Sequence, residues 1–229
     1  MTKKTVGGTI VAIIPAYNEQ TRIAAVIAQA AKYVDRVAVV DDGSSDGTGE
    51  TAREAGALVV RHVENCGAGA ATMTGIEAAR LLGADVVVTL DADEQHDPSD
   101  IPSLLAPILA GTADIAFANR FGRRNRIPLI RRLANAAGNL VTFFATGKYV
   151  EDSQCGFKAF GPRVVQEIQL RMNGFEFCTE IVRECAVHGW RVAEIPAKVM
   201  YSEYTLAKGQ SFGSGVKTAL KILLRSFLR

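Results

Sequence analysis

The chain has 229 residues, 48% of them hydrophobic and 22% charged, and its formal net charge is +2. This composition excludes a disordered or fibrous protein and is typical of a single folded domain. The small net charge gives no reason to expect a nucleic-acid partner. The four cysteines form no CxxC pair and have no histidine at zinc-ligand spacing, so we expect reduced thiols.

The N-terminal apolar run leads directly into the motif PAYNE, residues 15–19, and not into a small-residue cleavage site. We therefore predict a first strand there rather than a signal peptide. No segment of the sequence reaches about 18 uncharged apolar residues, the length needed to span a bilayer.

The first half of the chain alternates between apolar β-branched runs and amphipathic segments. The runs predicted to be strands are residues 9–16, 36–40, 57–62 and 85–90. The segments predicted to be helices are residues 20–34, 51–56 and 65–83. This alternation predicts an α/β fold with a Rossmann-like, mostly parallel central sheet and helices on both faces.

The second half shows a looser pattern. Strands are predicted at residues 113–120 and 191–201, and helices at residues 128–147, 163–170 and 176–189. Residues 150–162 are predicted to form a loop or a short hairpin. We expect the apolar stretch at residues 140–146 to pack in the core, with contact to lipid as the alternative.

Polar motifs follow three of the predicted strands. PAYNE follows the first strand, DDGSSDGT the second, and DADEQ the fourth. In open parallel sheets the binding crevice lies beyond the carboxyl ends of the strands, so these three loops are expected to converge. No GxGxxG follows the first strand, which argues against a nicotinamide enzyme.

The fourth strand delivers Asp91 and Asp93 to one point, with Gln95 two residues further on. Carboxylate and amide oxygens are the ligands that Mg²⁺ or Mn²⁺ prefers, and such ions take their remaining ligands from water and substrate phosphates. The alternative is a solvated acidic turn that starts the next helix, because Asp97 and Ser99 suit a helix N-terminus.

Four motifs in order, IIPAYNE, VVDDGSSDGT, NCGAGAA and LDADEQHDP, resemble those of family-two glycosyltransferases, which have the GT-A fold. Together with ANR and DSQCGFKAF, they are most similar to the polyprenyl-phosphate (dolichyl-phosphate) mannosyl- and glucosyltransferases. The resemblance covers roughly residues 9 to 205. It implies a single GT-A catalytic domain, for which we set the bounds 1–215.

The resemblance also implies where the donor binds. Pro15, Tyr17, Glu19 and Asp42 are expected to line the pocket of the nucleotide base and ribose. The positions expected to hold Mg²⁺ or Mn²⁺, and through it the donor diphosphate, are Asp91, Asp93 and Gln95.

On the acceptor side, the resemblance places Arg120, Arg131 and Asn135 against a lipid phosphate. The family usually has Ser where Asn135 stands and GSR where this chain has ANR. Asp152 and Glu180 are the acids expected to contact the donor sugar. The residues expected to act in catalysis are Asp93, Arg120, Arg131 and Asp152.

The implied reaction is transfer of a hexose from a nucleotide-diphosphate sugar to a polyprenyl phosphate, with inversion at the anomeric carbon. A phosphate acceptor is already anionic, so positioning and charge neutralisation replace a strong general base. DSQCGFKAF favours a UDP-glucose-type donor slightly over GDP-mannose. The alternatives are transfer to a glycan acceptor and a non-catalytic nucleotide-sugar-binding membrane scaffold.

Residues 216–229 are predicted to form a basic amphipathic helix, since Lys217, Lys221, Arg225 and Arg229 recur every four residues. This pattern is typical of a helix in an anionic membrane interface. The alternatives are a terminal helix packed on its own domain and a stub that leads into a deleted transmembrane segment. We therefore expect a cytoplasmic protein, held peripherally at the cytoplasmic membrane face.

Overall fold

The computed structural model describes residues 8–123, 125 and 127–200, which form seven strands and seven α-helices. The strands are β1 (Ile10–Ala16), β2 (Arg36–Asp41), β3 (Leu58–Arg61), β4 (Val86–Thr89), β5 (Ile115–Asn119), β6 (Lys158–Phe160) and β7 (Val192–Pro196). The helices are α1 (Ile23–Ala30), α2 (Thr48–Glu54), α3 (Ala68–Leu81), α4 (Ile101–Leu109), α5 (Leu129–Thr146), α6 (Pro162–Glu167) and α7 (Phe177–Val187). A short 3-10 helix (Pro98–Asp100) leads into α4.

The strands form one sheet in the order β3-β2-β1-β4-β6-β5-β7. β1 pairs in parallel with β2 and β4, and the pairs β2–β3 and β5–β7 are also parallel. β6 runs antiparallel between β4 and β5. The predicted α/β fold with a mostly parallel central sheet is confirmed, and the segment predicted as a loop or hairpin contributes the antiparallel strand.

Apolar side chains cover both faces of the sheet, as the continuous apolar runs in the strands predict. Along β1, Ala12 and Ile14 belong to one buried cluster, with side chains from α1 and α4. Val11 and Ile13 belong to a second cluster, with side chains from α3, α6 and α7. Burying a Val or Ile side chain stabilises the fold by about 1.5–3 kcal/mol, so this double core dominates its stability.

Helix α5 buries polar side chains and exposes apolar ones, whereas α1, α4 and α7 bury mainly apolar side chains. Its buried residues are Asn139 and Thr142, whereas Leu129, Ile130 and Phe144 are 71%, 75% and 73% exposed. The expectation that residues 140–146 pack in the core is therefore wrong for Leu140 and Phe144, which are 56% and 73% exposed; Phe143 is 38% exposed.

No helix within residues 8–123, 125 and 127–200 is both long and apolar enough to cross a bilayer. The predicted domain boundary at residue 215 and the predicted C-terminal helix at 216–229 lie outside the described residues.

Candidate active site

The candidate site lies at one edge of the sheet, where the parallel strands end. β1, β2 and β4 reach this edge at their carboxyl ends. Because β6 is antiparallel, its first residue, Lys158, lies at the same edge, paired with Thr89 of β4 and Phe117 of β5. The edge therefore collects the loops after β1, β2, β4 and β5 and the loop before β6.

The loops after β1 and β2 are joined by hydrogen bonds. The Asp42 amide donates to the Ala16 carbonyl at 2.8 Å. Asn18, whose φ of 54° is left-handed, accepts from the Ser45 amide through its side-chain oxygen at 2.9 Å. The Glu19 amide donates to the Thr48 hydroxyl at 2.8 Å. These contacts fix the PAYNE and DDGSSDGT motifs side by side.

The structure brings the predicted nucleotide residues to these two loops. Pro15 lies near the end of β1, opposite Val40, and Tyr17 is 42% exposed just beyond the strand. Glu19 and Asp42 are buried. An exposed aromatic ring and buried carboxylates on neighbouring loops are suited to a nucleotide base, whose faces stack and whose N–H groups donate.

Asp42 is held on several sides. Its Oδ1 accepts from the Cys66 amide and its Oδ2 from the Gly67 amide, both at 2.9 Å. The Nδ1 of His62 lies 2.7 Å from Oδ1. Gly67 has a φ of 99°, which a side chain would strain, and it leads directly into α3. The NCGAGAA motif thus positions the Asp42 carboxylate.

Asp91 and Asp93 follow β4 as predicted. The Nε2 of buried His96 lies 3.0 Å from Asp91 Oδ2, and the Asp91 side chain is 48% exposed. A Cβ on Gly156 would approach the Asp91 Cγ to 2.8 Å, so glycine leaves the space that this carboxylate occupies. The Thr89 hydroxyl donates to the Gly156 carbonyl at 2.6 Å and fixes that approach.

The two carboxyl groups differ in pKa. Burial acts to raise the pKa of Asp91, but the hydrogen bond and charge of His96, with the charges of Lys158 and Arg120, outweigh it and lower that pKa. Burial and then the negative charge of Asp91 hold the pKa of Asp93 above its usual range. The repulsion between the two carboxylates is what a bound cation would relieve.

These residues fit a hard divalent cation, because two carboxylates stand together at a site that is open to solvent on one side. Asp91 and Asp93 would hold it. Gln95 donates its side-chain amide to Asp93 Oδ2 at 2.5 Å, and its backbone amide to Oδ1 at 3.1 Å. In this arrangement Gln95 orients Asp93, and its role as a direct metal ligand stays a prediction.

Arg120 and Asp152 form a buried ion pair. The Arg120 Nε donates to Oδ2 at 2.8 Å, Nη2 to Oδ1 at 2.7 Å, and the backbone amide also to Oδ2 at 2.9 Å. Asp152 is fully buried. Its carboxylate therefore orients the Arg120 guanidinium, and the predicted contact of Asp152 with the donor sugar remains untested. Glu180, the second such acid, is buried and accepts from the amides of Arg171 and Met172.

Arg131 and Asn135 lie on the polar stripe of α5. Their spacing continues through Asn139 and Thr142, so all four side chains leave the same side of the helix. The buried end of this stripe contacts the loop before β6: Asn139 Oδ1 accepts from the Ser153 amide at 3.1 Å. The stripe therefore faces the loop that carries Asp152, and Arg131 and Asn135 lie towards the start of the helix.

The sequence analysis missed two contributors to the site. Lys158 is buried, its Nζ donates to the Cys155 carbonyl, and it lies 5.2 Å from the Phe117 ring centroid. A lone lysine between Phe157 and Phe160 in an apolar strand is a signal that could have revealed it. The second is His62, which directly follows β3 at the same sheet edge and contacts Asp42.

Comparison with known proteins gives the family. The profile of Glycosyl transferase family 2 matches residues 11–167. The chain belongs to that family. It is a glycosyltransferase, and its fold is the GT-A fold expected from the motifs.

Two relatives illustrate the similarity along the chain. A UDP-N-acetylglucosamine–dolichyl-phosphate N-acetylglucosaminyltransferase of Methanococcus voltae is 32% identical over 93% of this chain and 94% of its own. The polyprenol monophosphomannose synthase of Mycolicibacterium smegmatis is 29% identical over 91% of this chain and 83% of its own.

Among solved structures, glucosyl-3-phosphoglycerate synthase of Mycobacterium tuberculosis superposes on 96% of this chain and 78% of its own with a TM-score of 0.72. Its identity is 20%, so the likeness concerns the fold. That enzyme was crystallised with Mn²⁺, uridine diphosphate and phosphoglyceric acid.

Proposed function

We propose that this glycosyltransferase moves one sugar from a nucleotide-diphosphate donor to a polyprenyl or dolichyl phosphate, with inversion and with Mg²⁺ or Mn²⁺ as cofactor. The observation that carries the proposal is α5. Its polar stripe carries Arg131 and Asn135 and continues into Asn139, which bonds to the loop that carries Asp152, while its outer face is exposed and apolar. A lipid phosphate needs both surfaces, one for its charge and one for its chain.

On the donor side, the proposal rests on the loops after β1 and β2. Tyr17 offers a ring face and Asp42 a fixed carboxylate to the nucleotide. A UDP-sugar is our first choice of donor, since the M. voltae relative is named for one. Its sugar is an N-acetylhexosamine, so the donor panel must extend beyond the UDP-glucose and GDP-mannose that the motifs suggested.

The proposed chemistry is in-line attack of an acceptor phosphate oxygen on the anomeric carbon, with the nucleoside diphosphate leaving. A cation bound to Asp91 and Asp93 would offset the charge that develops on the leaving diphosphate. Arg120, held by Asp152, and Arg131 would bind the acceptor phosphate, because a guanidinium matches phosphate oxygens in pairs. No proton has to be removed from an ionised phosphate, so no general base is required.

For membrane contact, the proposal relies on the outer face of α5. Leu129, Ile130, Leu133, Leu140 and Phe144 recur at helical spacing and are all more than half exposed. Such a face is suited to the headgroup–acyl boundary of a bilayer, and Arg132 in the same helix would favour anionic lipid. We propose peripheral attachment at the cytoplasmic face, with residues 1–215 as one catalytic domain and the segment 216–229 as a second membrane contact.

The proposed reaction is tested with a donor panel incubated with polyprenyl phosphate and Mg²⁺ or Mn²⁺. The donors are UDP-glucose, UDP-N-acetylglucosamine, UDP-galactose and GDP-mannose, and the product is read by mass spectrometry of the lipid. We expect glycolipid from one donor, and its loss in Asp93→Asn. The matched control is Glu94→Gln, an exposed neighbouring acid paired loosely with Arg22 at 3.8 Å.

Nucleotide binding without lipid product from any donor would remove the lipid acceptor from the proposal and leave the donor site standing. Equal activity in Asp93→Asn and the parent would remove the metal role of Asp93.

The membrane contact is tested by sedimentation with anionic vesicles. The double variant Leu133→Gln/Phe144→Gln should lose at least tenfold in binding. The control is Leu81→Gln at the end of α3, which changes a leucine that is 90% exposed, and which should bind like the parent. Equal loss in both variants would show that α5 is not the docking surface.

A further inference from the structure

A second group of metal-ligating atoms lies about the Asp42 carboxylate. One oxygen of Asp42, one ring nitrogen of His62 and the Cys66 sulfur all lie within 4.8 Å of one another. The three residues come from the ends of β2 and β3 and from the loop before α3. The sequence showed no zinc spacing because only the sheet edge brings them together.

The donor set differs in kind from that of Asp91 and Asp93. A carboxylate, an imidazole and a thiol together suit a borderline-soft ion such as Zn²⁺ and suit Mg²⁺ poorly. At zinc bond lengths of about 2.0–2.3 Å and a tetrahedral angle, ligand atoms stand about 3.3–3.6 Å apart. The observed separations reach this arrangement with small side-chain shifts.

His62 is already oriented for the role. Its Nδ1 faces Asp42 at 2.7 Å, and its Nε2 lies 2.9 Å from the Thr74 hydroxyl. A hydroxyl can donate or accept, so Thr74 suits either ring tautomer. When Nδ1 binds a metal, the single ring proton is on Nε2, and the Thr74 hydroxyl oxygen accepts a hydrogen bond from it. Metal-bound histidines almost always have such a contact.

Cys66 differs from the other cysteines of the chain, all of which lie within the described residues. It is exposed, whereas Cys155, Cys178 and Cys185 are buried. Burial raises the pKa of Cys155 and of Cys185 to about 12, so neither readily forms the thiolate that a metal binds. The Cys66 backbone is fixed by its amide hydrogen bond to Asp42.

We propose that Asp42, His62 and Cys66 bind one Zn²⁺ ion, or another thiophilic divalent cation, and that this ion excludes the donor nucleotide. Three protein ligands leave a fourth position for water. Binding releases the Cys66 thiol proton to solvent and exchanges the hydrogen bond between His62 and Asp42 for two metal bonds. Exclusion of the nucleotide rests on the proposed function, because it assumes that Asp42 contacts the donor.

The binding step is tested with Co²⁺ as the probe, added to metal-free protein without any nucleotide. We expect intense tetrahedral d–d bands and a thiolate charge-transfer band, both removed by one equivalent of Zn²⁺. Cys66→Ser and His62→Gln should each weaken the affinity at least about 100-fold. Thr74→Val, which removes only the outer-shell contact, should weaken it by about 10–100-fold.

The control is His188→Gln. His188 lies 3.3 Å from Glu184 and 3.6 Å from Glu167, a surface histidine–carboxylate group without a thiol. This variant should bind Co²⁺ like the parent. Absence of a thiolate band, or bands that survive Cys66→Ser, would overturn the site. Circular dichroism of each variant separates loss of a ligand from loss of the fold.

The second step is tested by UDP binding in the presence and absence of one equivalent of Zn²⁺. Zinc should raise the apparent Kd for UDP at least tenfold in the parent and leave it unchanged in Cys66→Ser. If both ligands bind without competing, the exclusion is wrong and the metal site stands. If UDP does not bind to the zinc-free protein, the same competition is measured with GDP. If neither nucleotide binds, the proposed function fails, and the Co²⁺ bands still decide the metal site.

Discussion

Replacing Asp152 with asparagine tests how the Arg120 guanidinium is held beside the acceptor site. Asp152 is fully buried and accepts three hydrogen bonds, all from Arg120, at 2.7–2.9 Å. Asparagine keeps the shape of the side chain but loses its charge. Its amide NH₂ group, a donor, would also face an N–H donor of Arg120 in place of an accepting oxygen. Removing one partner of a buried pair costs about 3–5 kcal/mol, because the remaining charge stays desolvated.

The assay is urea unfolding followed by the fluorescence of Trp190, which is the single tryptophan of the chain and is buried. With a urea slope of about 2–3 kcal/mol per molar, the midpoint should fall by about 1–2.5 M. The KM for the acceptor should rise as well, because the Arg120 guanidinium is no longer held in one orientation.

Asp114→Asn is a matched control. The Asp114 carboxylate also accepts three hydrogen bonds from one arginine, namely from the Nε, the Nη2 and the backbone amide of Arg191, at 2.8–3.1 Å. The bonding pattern is the same, but the Arg191 side chain is 57% exposed, so water replaces the lost partner. We expect a clearly smaller fall in midpoint. Equal falls at the two sites would refute the reasoning, because burial would then make no difference.

Three further predictions concern single residues. Gly156→Ala should lower turnover at least tenfold, about 1.4 kcal/mol, with a smaller effect on unfolding, because the new Cβ displaces Asp91. Asp97→Ala should cost about 1 kcal/mol at neutral pH by removing an N-cap. Burial acts to raise the pKa of Asp97, but the hydrogen bonds from Ser99 and Lys198 outweigh it and lower that pKa. The stabilisation by Asp97 is therefore complete above the pKa of the unfolded state and is lost as pH falls through the pKa of the folded state. The urea midpoints of the variant and the parent should accordingly converge in acid. Thr142→Val should destabilise by about 1–3 kcal/mol in urea, because it leaves a buried hydroxyl on α7 unpaired.

The strands β1, β2 and β4 could be predicted from sequence because each is an apolar run that is followed by a polar motif. β6 could not be predicted with the same certainty, since three residues are too few for a period and Lys158 interrupts the apolar pattern. Its antiparallel direction matters, because it brings the loop with Asp152 to the edge where the parallel strands end.

The donor side of the site could be predicted more fully than the acceptor side. Asp42, Asp91 and Asp93 each follow the end of a predicted strand, and this position in the sequence is enough to place them at the carboxyl edge of the sheet. Arg120 and Asp152 are 32 residues apart, and nothing in their local sequence says that they pair. The exposure of Phe144 was also hidden, because an apolar stretch in a helix is ordinarily buried and only tertiary contacts show which face points inward.

The arrangement of α5, with its polar side buried and its apolar side exposed, relates the fold to the proposed acceptor. Hydrogen bonds contribute to holding this helix, as between Thr142 and Thr179 of α7 at 2.9 Å and between Asn139 and the loop before β6. A net hydrogen bond stabilises by only about 0.5–1.5 kcal/mol, so such contacts are a weak substitute for an apolar interface. The apolar side of the helix is thereby left for another surface. If that surface is a bilayer, the headgroup phosphate would lie at the border between the two faces, within reach of Arg131 at the first turn.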